Sequence, residues 1–142
     1  MDFLYQDPYP ILKDDTQYKK LTSDYVKVEQ LGDREILVVD PKGLELLAQE
    51  AMDDVSFMLR SAHLQKLRNI IEDPEATDND RFVAYNLLQN AAVAVEGQLP
   101  SCQDTGTAIV VAKKGENVYT GVDDGEWLSK GIYNTYQNKN LR

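Results

Sequence analysis

The 142-residue sequence predicts an α/β domain that is rich in helix, with a β-hairpin near the N-terminus and a buried strand following the Cys102 loop. Three observations predict it. Residues 25–40 alternate apolar and polar side chains, the period of a half-buried strand. Residues 41–96 hold three apolar repeats at spacings of three and four, the period of helices packed along one side. Residues 108–112 read Ala-Ile-Val-Val-Ala, a β-branched apolar run of strand length.

The elements follow in order. Residues 1–20 read as an extended arm, because Pro8 and Pro10 disfavour helix and Lys13-Asp14-Asp15-Thr16 is polar. Its aromatics Phe3, Tyr5 and Tyr9 imply packing on the body, since a free tail seldom carries so many. Val26, Val28 and Leu31 precede Gly32-Asp33, and Ile36 and Val38 follow it, with Gly-Asp as a two-residue hairpin turn. Pro41 opens a helix of about four turns with Leu44, Leu47, Ala48, Ala51, Val55 and Met58 on its apolar face. A shorter helix carries Leu64, Leu67 and Ile71 and stops before Asp73-Pro74. Thr77 or Asp78 caps a third, with Phe82, Tyr85, Leu88, Ala92 and Val95 inside and Gly97 as its stop. After the strand at 107–112, Lys113-Lys114-Gly115-Glu116-Asn117 is a turn into a return strand at 118–120. Asp123 or Asp124 then caps a last helix bearing Trp127, Leu128, Ile132 and Tyr136. No repeat or linker divides the chain, so 1–142 reads as one domain, and its end at Asn140-Leu141-Arg142 reads as cut rather than finished.

Composition narrows the function. A net charge of −9 argues against non-specific nucleic-acid binding, which needs a basic patch. No apolar run reaches the ~18–20 residues of a membrane span, and Met1-Asp2-Phe3-Leu4-Tyr5 lacks the basic and apolar regions of a signal peptide. A single cysteine cannot close an internal disulfide, which fits a reducing, cytoplasmic setting.

That cysteine lies in Leu99-Pro100-Ser101-Cys102-Gln103-Asp104-Thr105-Gly106-Thr107-Ala108. A thiol between a proline and a glycine is where a loop presents a nucleophile or metal ligand, although a free Cys also serves as a small buried hydrophobe. A nucleophilic Cys needs a base, and nothing in the sequence pairs the one histidine, His63, with Cys102. One thiol cannot by itself hold a zinc ion or an iron–sulfur cluster, so any cluster draws sulfur from elsewhere. Gln103 offers a donor and an acceptor and Asp104 a proton-transfer group, unless Asp-Thr-Gly is simply turn chemistry.

The Cys102 loop resembles the first cluster-ligand segment of the class I, iron–sulfur-dependent fumarate hydratases. Lys13-Asp14-Asp15-Thr16, Leu21-Thr22-Ser23, Ser56-Phe57-Met58-Leu59-Arg60, Ala62-His63, Asp73-Pro74-Glu75-Ala76 and Gly131-Ile132-Tyr133-Asn134-Thr135-Tyr136 resemble the N-terminal portion of the same family, and so does Asn140-Leu141-Arg142. The resemblance covers essentially the whole chain.

It implies a hydro-lyase that interconverts fumarate and (S)-malate. The family binds a [4Fe–4S] cluster through three cysteines and leaves one iron free to act as a Lewis acid. Cys102 would be the first ligand. Gln103 and Asp104 would line the substrate pocket, Asp104 as proton donor or acceptor, and Arg142 would clamp a carboxylate of the small dicarboxylate substrate. The two other cysteines are absent, so the resemblance implies that the rest of the enzyme or a partner subunit completes the site, that the complete enzyme is a homodimer, and that this chain alone is inactive. Tartrate dehydratase or mesaconate hydratase of the same family, and a non-catalytic module that docks a cluster or a partner, are the alternatives.

Overall fold

The computed structural model describes residues 3–7, 10, 17–102 and 107–141. Strands β1 (Val26–Leu31) and β2 (Arg34–Val39) lead into helices α1 (Pro41–Phe57), α2 (Ser61–Glu72) and α3 (Asp78–Ala94). A short strand β3 (Val118–Tyr119) and helix α4 (Asp124–Lys139) follow. The expected α/β architecture, the N-terminal hairpin and all four helices are present.

The hairpin turns at Gly32 and Asp33, between Leu31 and Arg34. Gly32 holds φ +61°, and a positive φ at the first central position is the type II′ signature that matches strand twist. The antiparallel register sets Val26 and Val28 opposite Val39 and Leu37, while Ile36 and Val38 lie on the other face with Glu29 and Lys27. β3 joins the free edge of β2 in parallel, with Leu37 opposite Val118, giving the order β1-β2-β3. The expected return strand is therefore present, but it pairs with β2 and not with residues 107–112.

Local chemistry sets four of the helix boundaries. Asp40 caps α1 by accepting from the Lys42 amide at 2.9 Å, ahead of Pro41. Thr77 and Asp80 form a reciprocal capping box at the start of α3. Asp123 accepts from the amides of Gly125 and Glu126 to start α4. Asn140 ends α4 in the left-handed region at φ 52°.

Helices α1 and α4 meet at backbone distance. A Cβ on Gly131 would stand 2.2 Å from the Glu45 carbonyl oxygen and 2.9 Å from the Ala48 Cβ. One turn on, Thr135 is buried and its hydroxyl donates to the Gln49 carbonyl at 2.9 Å. Asn134 and Lys130 both reach the Glu45 carboxylate, at 2.8 and 2.9 Å. The Gly131–Thr135 spacing thus lets two helices touch through small residues. α2 and α3 pack as a second pair, with Leu67 and Ala84 buried.

Three expectations are corrected. The apolar run at 107–112 is not a strand and is not buried; Ile109 is 83% and Val111 64% exposed. A buried strand needs ladder partners and a covering layer, and the described residues supply neither to this run. Leu47 and Val55 on α1 and Met58 at its C-cap are exposed, as are Phe82 and Tyr85 on α3 and Val95 at its C-cap. Of the expected α1 face Ala48 is buried, joined by Ser56 and Phe57, and α3 buries Ala84 and Ala94, small residues that let helices approach closely. Phe3 (92% exposed) and Tyr5 do not pack on the body, while Asp7 pairs with Lys113 at 2.7 Å; Tyr9 lies outside the described residues.

Candidate functional site

The Cys102 loop is built on the ends of two helices. α3 gives way to Gly97, which holds φ +75°, and the chain turns through Leu99 and Pro100 toward the C-terminal end of α1. There the Ser56 carbonyl belongs to the last turn of α1, where a helix leaves acceptors without intrahelical donors. Ser101 fills that vacancy twice: its amide donates to the Ser56 oxygen at 2.8 Å and its hydroxyl donates to the same oxygen at 3.0 Å. Both residues are buried, Ser56 at 2% and Ser101 at 5% exposure. The Ser56 hydroxyl donates back to the Met52 carbonyl at 2.7 Å, so both buried serine hydroxyls are hydrogen-bonded.

Cys102 comes next. Its amide donates to Asn90 Oδ1, on α3, at 2.7 Å, and its thiol is free and exposed. Consecutive residues are therefore tethered to different helices, Ser101 to α1 and Cys102 to α3. This holds the backbone at the cysteine while leaving the side chain accessible. The alternative of a buried structural cysteine does not apply.

Of the residues expected at the site, the structure places Cys102; Gln103, Asp104 and Arg142 lie outside the described residues. His63 is exposed on the first turn of α2. Among the described residues no three His, Cys, Asp or Glu side chains come together to hold a metal ion. An exposed thiol on a pinned loop suits one ligand of a cluster, and the donor set of a whole cluster is not in this chain. Asn90 and Ser56 escaped sequence reasoning. Asn90 does carry a signal, because asparagine is a weak helix former that favours caps and turns and here lies inside a helix.

An apolar cleft of about 340 Å³ lies beside the same junction, lined by Phe57, Leu59, Leu64, Leu88 and Ala91 among others. Further away, Lys114 bonds both Asp124 and Thr120, which ties the 113–117 turn to the first turn of α4 and holds the Asp124 carboxyl below its usual range. No helix among the described residues is long and apolar enough to cross a membrane.

Comparisons with known proteins show the family. The family model for Fumarate hydratase (Fumerase) matches residues 45–142, and the chain belongs to that family. It is 55% identical over 140 residues, 99% of its length, to "Fumarate hydratase class I, anaerobic" of Escherichia coli strain K12. It is 53% identical over 140 residues to "Fumarate hydratase class I, aerobic" of Salmonella typhimurium, covering 99% of this chain. It is 50% identical over 130 residues, 90% of its length, to "Fumarate hydratase 1, mitochondrial" of Leishmania major. The chain spans only 26%, 24% and 24% of those three relatives.

Proposed function

We propose that this chain is the cysteine-bearing N-terminal part of a class I fumarate hydratase, an iron–sulfur hydro-lyase acting reversibly on fumarate. The observation that carries the proposal is the exposed Cys102 thiol on a loop pinned by Ser101 and Asn90, within a chain that belongs to the fumarate hydratase family. Cys102 would hold one corner of a [4Fe–4S] cluster, and the other two thiolates come from outside these 142 residues. When bound, such a cluster supplies a Lewis-acidic iron.

The chain's own residues do the rest of the local work. Gln103 orients the substrate through its amide, and Asp104 holds or accepts a proton near the substrate hydroxyl. Arg142 grips a carboxylate with its planar guanidinium. The exposed apolar stripes on α1 and α3 and the exposed run at 109–111 support a role for the remainder of the enzyme, or a partner subunit, as their cover. The complete enzyme is proposed to be a cytoplasmic homodimer.

The test is anaerobic reconstitution of the isolated chain with iron and sulfide, followed by a fumarate absorbance assay. The proposal expects neither a stable [4Fe–4S] cluster nor turnover. Measurable hydration of fumarate by this chain alone would overturn it. Activity of the completed enzyme on fumarate, mesaconate and tartrate distinguishes fumarate hydratase from its family alternatives.

A further inference from the structure

We infer that Asn90 is a positioning residue for Cys102, fixing the backbone from which the thiolate reaches the cluster; this rests on the reading of Cys102 as a cluster ligand. Asn90 is a half-buried residue inside α3, and its side-chain oxygen accepts the Cys102 amide at 2.7 Å. The bond is long-range in function though only twelve residues apart in sequence. It couples the loop to a rigid helix, as a precise ligand site requires.

The companion tether defines what Asn90 adds. Ser101 is held to α1 by two donors, which fixes the position of the loop but leaves rotation about the following backbone bonds. The Cys102 amide lies beyond those bonds. With that amide committed to Asn90, the peptide plane leading into Cys102 is set, and with it the position of the Cα from which the side chain leaves the chain. The thiol itself stays exposed. Partners that orient a ligand in this way tune its metal affinity although they never touch the metal.

The substitution Asn90→Ala removes the acceptor and leaves α3 with a better helix former, so loss of the helix does not confound the test. Asn90→Asp keeps an acceptor oxygen in the same place. Amide hydrogen exchange of the 142-residue chain, read by NMR, is the first measurement. N90A is expected to speed exchange at Cys102 by about five-fold, the worth of one net hydrogen bond, and N90D to restore protection.

The second measurement uses the enzyme completed by joining this chain to the remainder of a class I relative. Under limiting iron, N90A is expected to lower the visible cluster absorption per protein and alter its electron paramagnetic resonance line shape, with N90D recovering cluster content. The inference is overturned if N90A matches the parent in both measurements. A completed parent enzyme that takes up no cluster overturns the reading of Cys102 as a ligand. In that case the exchange data still report whether Asn90 holds the Cys102 amide, so the two failures are distinguishable.

Discussion

Ser101 donates to the Ser56 carbonyl twice, through its amide at 2.8 Å and its hydroxyl at 3.0 Å, and so closes the open end of α1 with the loop that carries Cys102. One contact therefore serves both the fold and the site. Substituting Ser101→Ala keeps the amide bond and removes the hydroxyl bond in a buried setting. The expected cost is about 1 kcal/mol of stability, measured by urea unfolding, with faster alkylation of Cys102 as the loop loosens.

Gly131 is the most closely packed of the described glycines. A methyl group there meets the Glu45 carbonyl oxygen at 2.2 Å, and a backbone atom cannot swing aside as a flexible side chain would. Gly131→Ala should cost roughly 3 kcal/mol, the upper end of overpacking penalties, despite the better helix propensity of alanine. Equilibrium denaturation followed by circular dichroism checks this, and a neutral effect would mean that α1 and α4 cross elsewhere.

Two carboxylates give the chain an acid-sensitive edge. Glu45 is held below the usual glutamate range chiefly by the hydrogen bond from Lys130, with help from Asn134. Asp124 is lowered first by Lys114 and then by Thr120. A carboxyl whose folded pKa is depressed contributes stability that is fully present above its unfolded pKa and lost as pH falls through the folded one. Stability should therefore decline as pH drops below the ordinary carboxylate range. Lys130→Met and Lys114→Met should each flatten that decline while leaving the slope above neutrality unchanged, as read from thermal melts across pH.

The run at 109–111 separates the chain by itself from the chain in a complete enzyme. Ile109→Lys should change the stability of the 142-residue chain by less than about 0.5 kcal/mol, because the side chain is 83% exposed. In the completed enzyme the same substitution should cost several-fold more. Equal, small effects in both would show that nothing covers this segment.

The sequence made the elements legible because their signals are local. Gly32-Asp33, Pro41, Thr77 and Asp123 each mark a boundary within a residue or two of where the structure puts it. The buried faces were harder to read. On α1 Leu47 and Val55 have helical period yet stay exposed, while Ala48 and Ser56 face inward where helices and loop come close. Periodicity reports that a face is apolar, not which neighbour it meets. The run at 107–112 misled for the same reason, since strand composition does not supply a ladder partner. At the candidate site, the loop that presents Cys102 was legible from its proline and glycine, and the structure leaves the thiol exposed. Asn90 was not, because a contact between a helix interior and a loop leaves no periodic trace.

Cys102 is proposed as a cluster ligand whose site is completed by sulfur from outside these 142 residues. The most direct measurement compares parent and Cys102→Ser in a polypeptide where this chain replaces the matching quarter of the Escherichia coli anaerobic class I enzyme. Iron content, visible cluster absorption and fumarate hydration are read together. The parent is expected to bind a [4Fe–4S] cluster and hydrate fumarate, and the serine variant to lose the cluster and at least ~100-fold in activity, beyond the ~10–100-fold that loss of an outer-shell partner costs. A serine variant with full cluster content and parental turnover would contradict it.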